Sequence, residues 1–118
     1  MNLYPNAIFR GFVADVVLTL LGGVLLLALM GVDNVNTTRG QVASFIFGSI
    51  ATIVSGHVTA SRSPDSKFAN VVLLGILGVV FVFVIAAYSP IPMWQTILCA
   101  LVIIPLALLG AYFESLGN

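Results

Sequence analysis

The sequence predicts an all-α integral membrane protein, a four-helix bundle running up-down-up-down through the bilayer. Three observations predict it. Four apolar stretches, 12–32, 42–60, 68–88 and 92–113, fill most of the 118 residues. At about 1.5 Å of rise per residue each reaches about 30 Å, the thickness of the hydrocarbon layer. Hydrophobic residues make up 60% of the chain and charged residues 7%, against roughly 25% charged in a soluble domain, so lipid is the expected solvent. The connections are short and polar, as between antiparallel neighbours. The chain reads as one transmembrane domain over 1–118.

The first helix is expected over about 10–32. Arg10 before an apolar run has the order of a signal peptide. The run is longer than the roughly 7–15 residues of such a segment, and no small-x-small cleavage site follows, so a retained helix is expected. The loop 33–41 holds Asp33, Asn34, Asn36, Thr37, Thr38 and Arg39. The second helix is expected over 41–61. The third, over 64–88, has Ser63-Pro64 as an N-cap followed by proline at the first helical position; Ser89-Pro90 plays the same part before the fourth, over 92–114. Pro105 lacks the N–H that its turn needs and should bend that helix.

Lysine and arginine predict the orientation. Arg10, Arg62 and Lys67 fall on the side of both termini and the middle loop, and Arg39 on the other. The positive-inside rule then places the termini and middle loop in the cytoplasm. Trp94, Tyr88 and Tyr112 fall at helix ends, as interfacial aromatics do.

The second helix carries the clearest packing pattern. Ser44, Gly48, Thr52, Gly56 and Ala60 recur every four residues, with Ala51, Ser55 and Thr59 beside them. Small residues at this spacing let two helix backbones approach closely, either inside the bundle or at a seam between copies. Gly11, Asp15, Thr19 and Gly22 share a face of the first helix. Lys67, Asn70, Val71 and Gly78 share one on the third. Thr96, Cys99, Ala100, Ile103, Ala107, Gly110 and Glu114 share one on the fourth.

Asp15 is the polar group most in need of explanation, because a carboxylate inside a membrane segment costs about 2.5–3.5 kcal/mol on insertion scales. Its helix face and its distance from Arg10 predict a buried polar cluster of Asp15, Ser55, Thr59, Lys67 and Asn70. The cluster reads either as a structural staple or as a protonatable site on a transport path. His57, the single histidine, falls opposite the small-residue stripe, which argues against an Asp15–His57 pair. The lone Cys99 can form neither an internal disulfide nor a thiolate metal site. No catalytic spacing, phosphate loop or zinc motif is present, so neither an enzyme nor a cofactor or metal site is expected. The zero net charge gives no sign of nucleic acid.

The segment Gly56-His57-Val58-Thr59-Ala60-Ser61-Arg62, the later Gly75-x-x-Gly78, Trp94, and Pro105 followed by aliphatics and Gly110-Ala111 resemble a loose group of small four-helix bacterial inner-membrane proteins of unknown function. In that group the second helix ends in glycine-aromatic-valine-alanine-alanine-arginine, from which His57 and Thr59 depart. The resemblance implies a multi-pass protein of a bacterial inner membrane and transfers no activity. Two functions are expected. One is a non-catalytic membrane protein that associates with itself or with a larger membrane complex. The other is an oligomeric small transporter or channel with Asp15 near its path.

Overall fold

A computed structural model describes residues 3–31, 33, 37–88 and 93–117. Among these, four helices account for nearly all of the chain: α1 Pro5–Met30, α2 Thr38–Ser61, α3 Lys67–Tyr88 and α4 Met93–Leu116. The shortest has 22 residues, about 33 Å of helix. All four are long and apolar enough to cross a membrane, and the chain is read accordingly as a multi-pass membrane protein.

The helix limits depart from expectation in two informative places. α1 starts at Pro5, five residues before the expected 10, because proline fits the first helical turn, where no intrahelical N–H is needed. The polar residues Asn6 and Arg10 hid that start; they pair with each other one turn apart (3.4 Å). α3 starts at Lys67 and not at Pro64. Ser63 does not cap it: the Ser63 hydroxyl is buried and donates to the Thr59 carbonyl (2.8 Å), closing the end of α2. The α3 entrance is Ser66, held in the left-handed region at φ 51°. Its carbonyl accepts from both the backbone N–H (3.0 Å) and the side-chain amide (2.9 Å) of Asn70. At α2, Thr37 caps the Gly40 N–H. The proposed Ser89-Pro90 cap lies outside the described residues.

The interior is rich in small side chains, with Ile8, Leu26, Leu74 and Ile103 as its large ones, and most large apolar side chains lie on the exterior. Ala7, Ala51, Ala60, Val71, Ala107 and Ala111 are buried, while Leu20, Leu29, Ile46, Ile50, Phe83 and Leu101 are exposed. Lipid explains this inversion. Burying leucine gains little when the solvent is itself hydrocarbon, so close backbone approach holds the helices together. α2 is the hub, packing most extensively on α4 and α1, while α4 also packs on α3. Gly56 faces the Ala107 carbonyl of α4 so tightly that a Cβ there would lie 2.8 Å from the Ala107 carbonyl carbon and Cα. Gly110 meets the Ile53 carbonyl of α2 in the same way. Gly11 of α1 seats against Thr59 and the Ser55 carbonyl, and Gly75 of α3 against Ile104. Phe12 and Phe81 stack edge to face, with centroids 5.3 Å apart, where α1 meets α3.

The five stripe residues of α2 do not share one environment. Thr52, Gly56 and Ala60 are buried, Gly48 is half-buried with open space beside it, and Ser44 is exposed. The bundle is tight toward the end that carries Tyr4, Ser63, Lys67 and Glu114. It is open toward the end that carries Met30, Thr38 and Met93.

Candidate functional site

The expected cluster of Asp15, Ser55, Thr59, Lys67 and Asn70 is divided between these two regions. Ser55, Thr59, Lys67 and Asn70 belong to the closed end. Ser55 and Thr59 do not donate to Asp15. The Ser55 hydroxyl donates to its own helix at Thr52 (2.8 Å), and the Thr59 hydroxyl donates across to the Ala7 carbonyl of α1 (3.4 Å). Lys67 faces Glu114, with Nζ 2.9 Å and 3.2 Å from the two carboxylate oxygens. Glu114 is only 7% exposed and Lys67 33%. Asn70, at 0% exposure, accepts from the Tyr4 N–H (2.7 Å), while the Tyr4 hydroxyl donates to Asp65 (2.9 Å). These bonds pin the start of α1 to the α2–α3 turn. Every buried side-chain polar atom among the described residues has a partner. The closed end is therefore a satisfied polar seal, which is the only stable form for polar groups in a low-dielectric interior.

The register of α1 on α2 explains why Asp15 lies elsewhere. Ala7 pairs with Thr59, Gly11 lies on Ser55 and Thr59, and Gly22 lies on Phe47. One turn beyond Gly11, Asp15 falls level with Thr52 and Gly48. Depth counted from Arg10 misses this by about a turn, since Arg10 lies within α1 and not at its edge. Asp15 is ten residues into the 26-residue α1, about 15 Å along it.

There Asp15 is half-buried and interacts with the Thr19 hydroxyl one turn on. It lines a cavity of about 210 Å³ between all four helices. Its polar wall is Asp15, Thr19, Ser44, Ser49, Thr52 and Gln95, and Thr96 and Cys99 also border it; the apolar wall includes Val16, Phe45, Phe81, Ile85 and Leu106. Thr19 and Ser44 are exposed while Thr52 is buried, so the cavity is open on the side of Thr19 and Ser44 and bounded at Thr52. Beyond its floor stands the Gly56–Ala107 contact. Thr52 and Ser49 donate their hydroxyl protons to the Gly48 and Phe45 carbonyls, each at 2.9 Å. Their oxygens keep acceptor lone pairs only.

His57 is exposed, outside the bundle interior and apart from Asp15. Two features escaped the sequence reading. Glu114 was placed on the inward face of its helix but not matched to Lys67. Ser49, Thr52 and Gln95 were not grouped with Asp15, because they come from two other helices and only the register brings them together. No group of three His, Cys, Asp or Glu residues gathers among the described residues. Comparisons of the chain with protein-family models, with curated proteins and with solved structures find no match.

Proposed function

We propose that this chain is a non-catalytic subunit of a small transporter or channel, working as two or more copies, in which the Asp15 cavity receives the transported solute or proton. One observation carries the reading: an ionisable side chain about two-fifths of the way along a membrane-length helix borders an open cavity, and is not sealed into a salt bridge. Such a group is costly in the bilayer, and its usual justification is a path for protons, ions or substrate. The satisfied seal at the opposite end adds support, because a cavity open at one end and closed at the other suits alternating access. Four helices are few to enclose a route alone, so the path forms with a second copy.

The orientation belongs to the same proposal. Both termini and the 61–67 turn face the cytoplasm, supported by Arg10, Arg62 and Lys67 against Arg39, and the Asp15 cavity then opens outward. The resemblance to small inner-membrane proteins supports a bacterial inner membrane as the location. The test is reconstitution of the full chain in liposomes loaded with a pH-sensitive dye. The wild-type chain should dissipate an imposed pH gradient faster than empty vesicles, and Asp15→Asn should not. Equal dissipation by both proteins removes Asp15 from the path, and dissipation by the wild-type chain no faster than by empty vesicles returns the chain to the other expected role, a membrane component that associates with itself or a larger complex.

A further inference from the structure

We infer that the Asp15 cavity binds a small protonated amine with a compact apolar body; this rests on the reading of the cavity as the solute site. Charge, hydrogen-bond polarity, wall chemistry and size lead to it. Asp15 is the only charged residue lining the cavity among the described residues, so an anion has no counter-charge there. The one other titratable group on the wall is the Cys99 thiol. Lys67, the cation of the closed end, is occupied by Glu114.

The hydrogen-bond polarity of the α2 hydroxyls nearest Asp15 is one-sided. Ser49 and Thr52 have given their protons to backbone carbonyls, and an ionised carboxylate only accepts. A ligand that meets all three must bring hydrogen-bond donors, and the Gln95 amide and Ser44 hydroxyl on the same wall can serve a further polar atom. A divalent metal ion fits poorly, because it requires about six oxygen ligands or a cluster of ligating side chains, and no three His, Cys, Asp or Glu gather among the described residues. A hydrated monovalent ion would spend much of its shell against Val16, Phe81, Ile85 and Leu106. An amine carrying an apolar group uses both walls at once. Its ammonium head donates to Asp15, Ser49 and Thr52, and its body lies among the aliphatics with Phe45 and Phe81. A protein cavity of about 150 Å³ holds benzene, so about 210 Å³ accommodates a single ring with a short aminoalkyl arm.

Cys99 borders the cavity and is the only cysteine in the chain, which makes it a native reporter. The full-length protein in detergent is treated with methyl methanethiosulfonate, a small uncharged thiol reagent, and the modified fraction is followed by intact mass. Phenethylamine at neutral pH should slow Cys99 modification at least tenfold, in a saturable way. 2-Phenylethanol, of the same shape without the charge, should slow it less than twofold. Asp15→Asn should lose protection by the amine, and Asp15→Glu should keep it; the second variant decides the matter if the first fails to fold.

Equal protection by the alcohol overturns the inference, because the site would then be a plain apolar pocket. No protection by the amine overturns it too. So does a Cys99 that the reagent cannot reach in the free protein, since a cavity closed to that reagent is closed to the amine. Protection and flux fail separately. Flux that depends on Asp15 without amine protection removes the ligand class and leaves the transport reading; protection without flux keeps the binding site and removes transport.

Discussion

Two glycines about two turns apart on one helix should respond to the same mutation with opposite signs. Gly48 and Gly56 occupy equivalent positions in the four-residue repeat of α2. Gly56→Ala places a Cβ against the Ala107 peptide, 2.8 Å from its carbonyl carbon and Cα. Carbon atoms prefer about 3.5–4.0 Å, so α2 and α4 must separate by roughly 1 Å. The obstacle is backbone and cannot rotate away. Overpacking of this kind costs about 1–3 kcal/mol, only partly offset by the roughly 0.8–1 kcal/mol that alanine gains over glycine in a helix. Gly48 has no atom within 4 Å of an added Cβ, so Gly48→Ala keeps the propensity gain. The propensity gain is common to both, so the two variants should differ by the overpacking cost itself, about 1–3 kcal/mol, or roughly fivefold to a hundredfold in the unfolding equilibrium. Titration with SDS in mixed micelles, followed by far-UV circular dichroism, measures this directly. If Gly48→Ala loses as much stability as Gly56→Ala, the tight and open halves of the bundle have been assigned wrongly.

Gly110→Ala should mimic Gly56→Ala, since its Cβ would meet the Ile53 carbonyl, whereas Gly23→Ala, in open space, should be neutral or stabilising in the same titration. A double-mutant cycle of Lys67→Met and Glu114→Gln should return a coupling of about 1–3 kcal/mol, with Glu114→Gln alone the milder change because the amide still accepts from Lys67; zero coupling would show that the 2.9 Å pair does not hold the closed end. Asn70→Leu should cost about 1–3 kcal/mol by leaving the Tyr4 N–H without its acceptor, and should speed proteolysis of the chain before Pro5; unchanged cleavage would show that Asn70 does not anchor that segment. Reporter fusions at Thr38 should read as periplasmic and at Asp65 as cytoplasmic; a cytoplasmic signal from Thr38 would reverse the orientation.

The helices were legible because lipid imposes a coarse and strong signal: about twenty apolar residues in a row have few other uses. The inward faces of α3 and α4 were legible for a related reason. Small and polar residues avoid lipid, and Asn70, Val71 and Gly78, with Thr96, Ile103, Ala107, Gly110 and Glu114, are all buried. Register was not legible. It depends on where α1 begins, and Pro5 sets that start before the apolar run does. A displacement of one turn was enough to associate Asp15 with Ser55 and Thr59 in place of Thr52 and Gly48. The start of α3 was missed for a comparable reason. Ser63-Pro64 has the local chemistry of a cap, but the Ser63 hydroxyl gains more by closing α2 in a buried place, and Asn70 completes the turn at Ser66 from four residues ahead.

The same hydroxyl chemistry serves opposite ends in the two halves of the bundle. At the closed end the polar bonds cross between helices or turns: Thr59 to Ala7, Tyr4 to Asn70, Lys67 to Glu114. These three bonds join separate elements and hold them together, while the Ser55 hydroxyl there is satisfied within its own helix. Around the cavity the hydroxyls bond back to their own helix, Ser49 to Phe45 and Thr52 to Gly48. Such bonds add little to packing, and in the bilayer they satisfy the donor while leaving acceptor capacity turned outward. Ser49 and Thr52 of α2, and the Asp15 carboxylate of α1 beside the Thr19 hydroxyl, thereby turn acceptor capacity into one cavity.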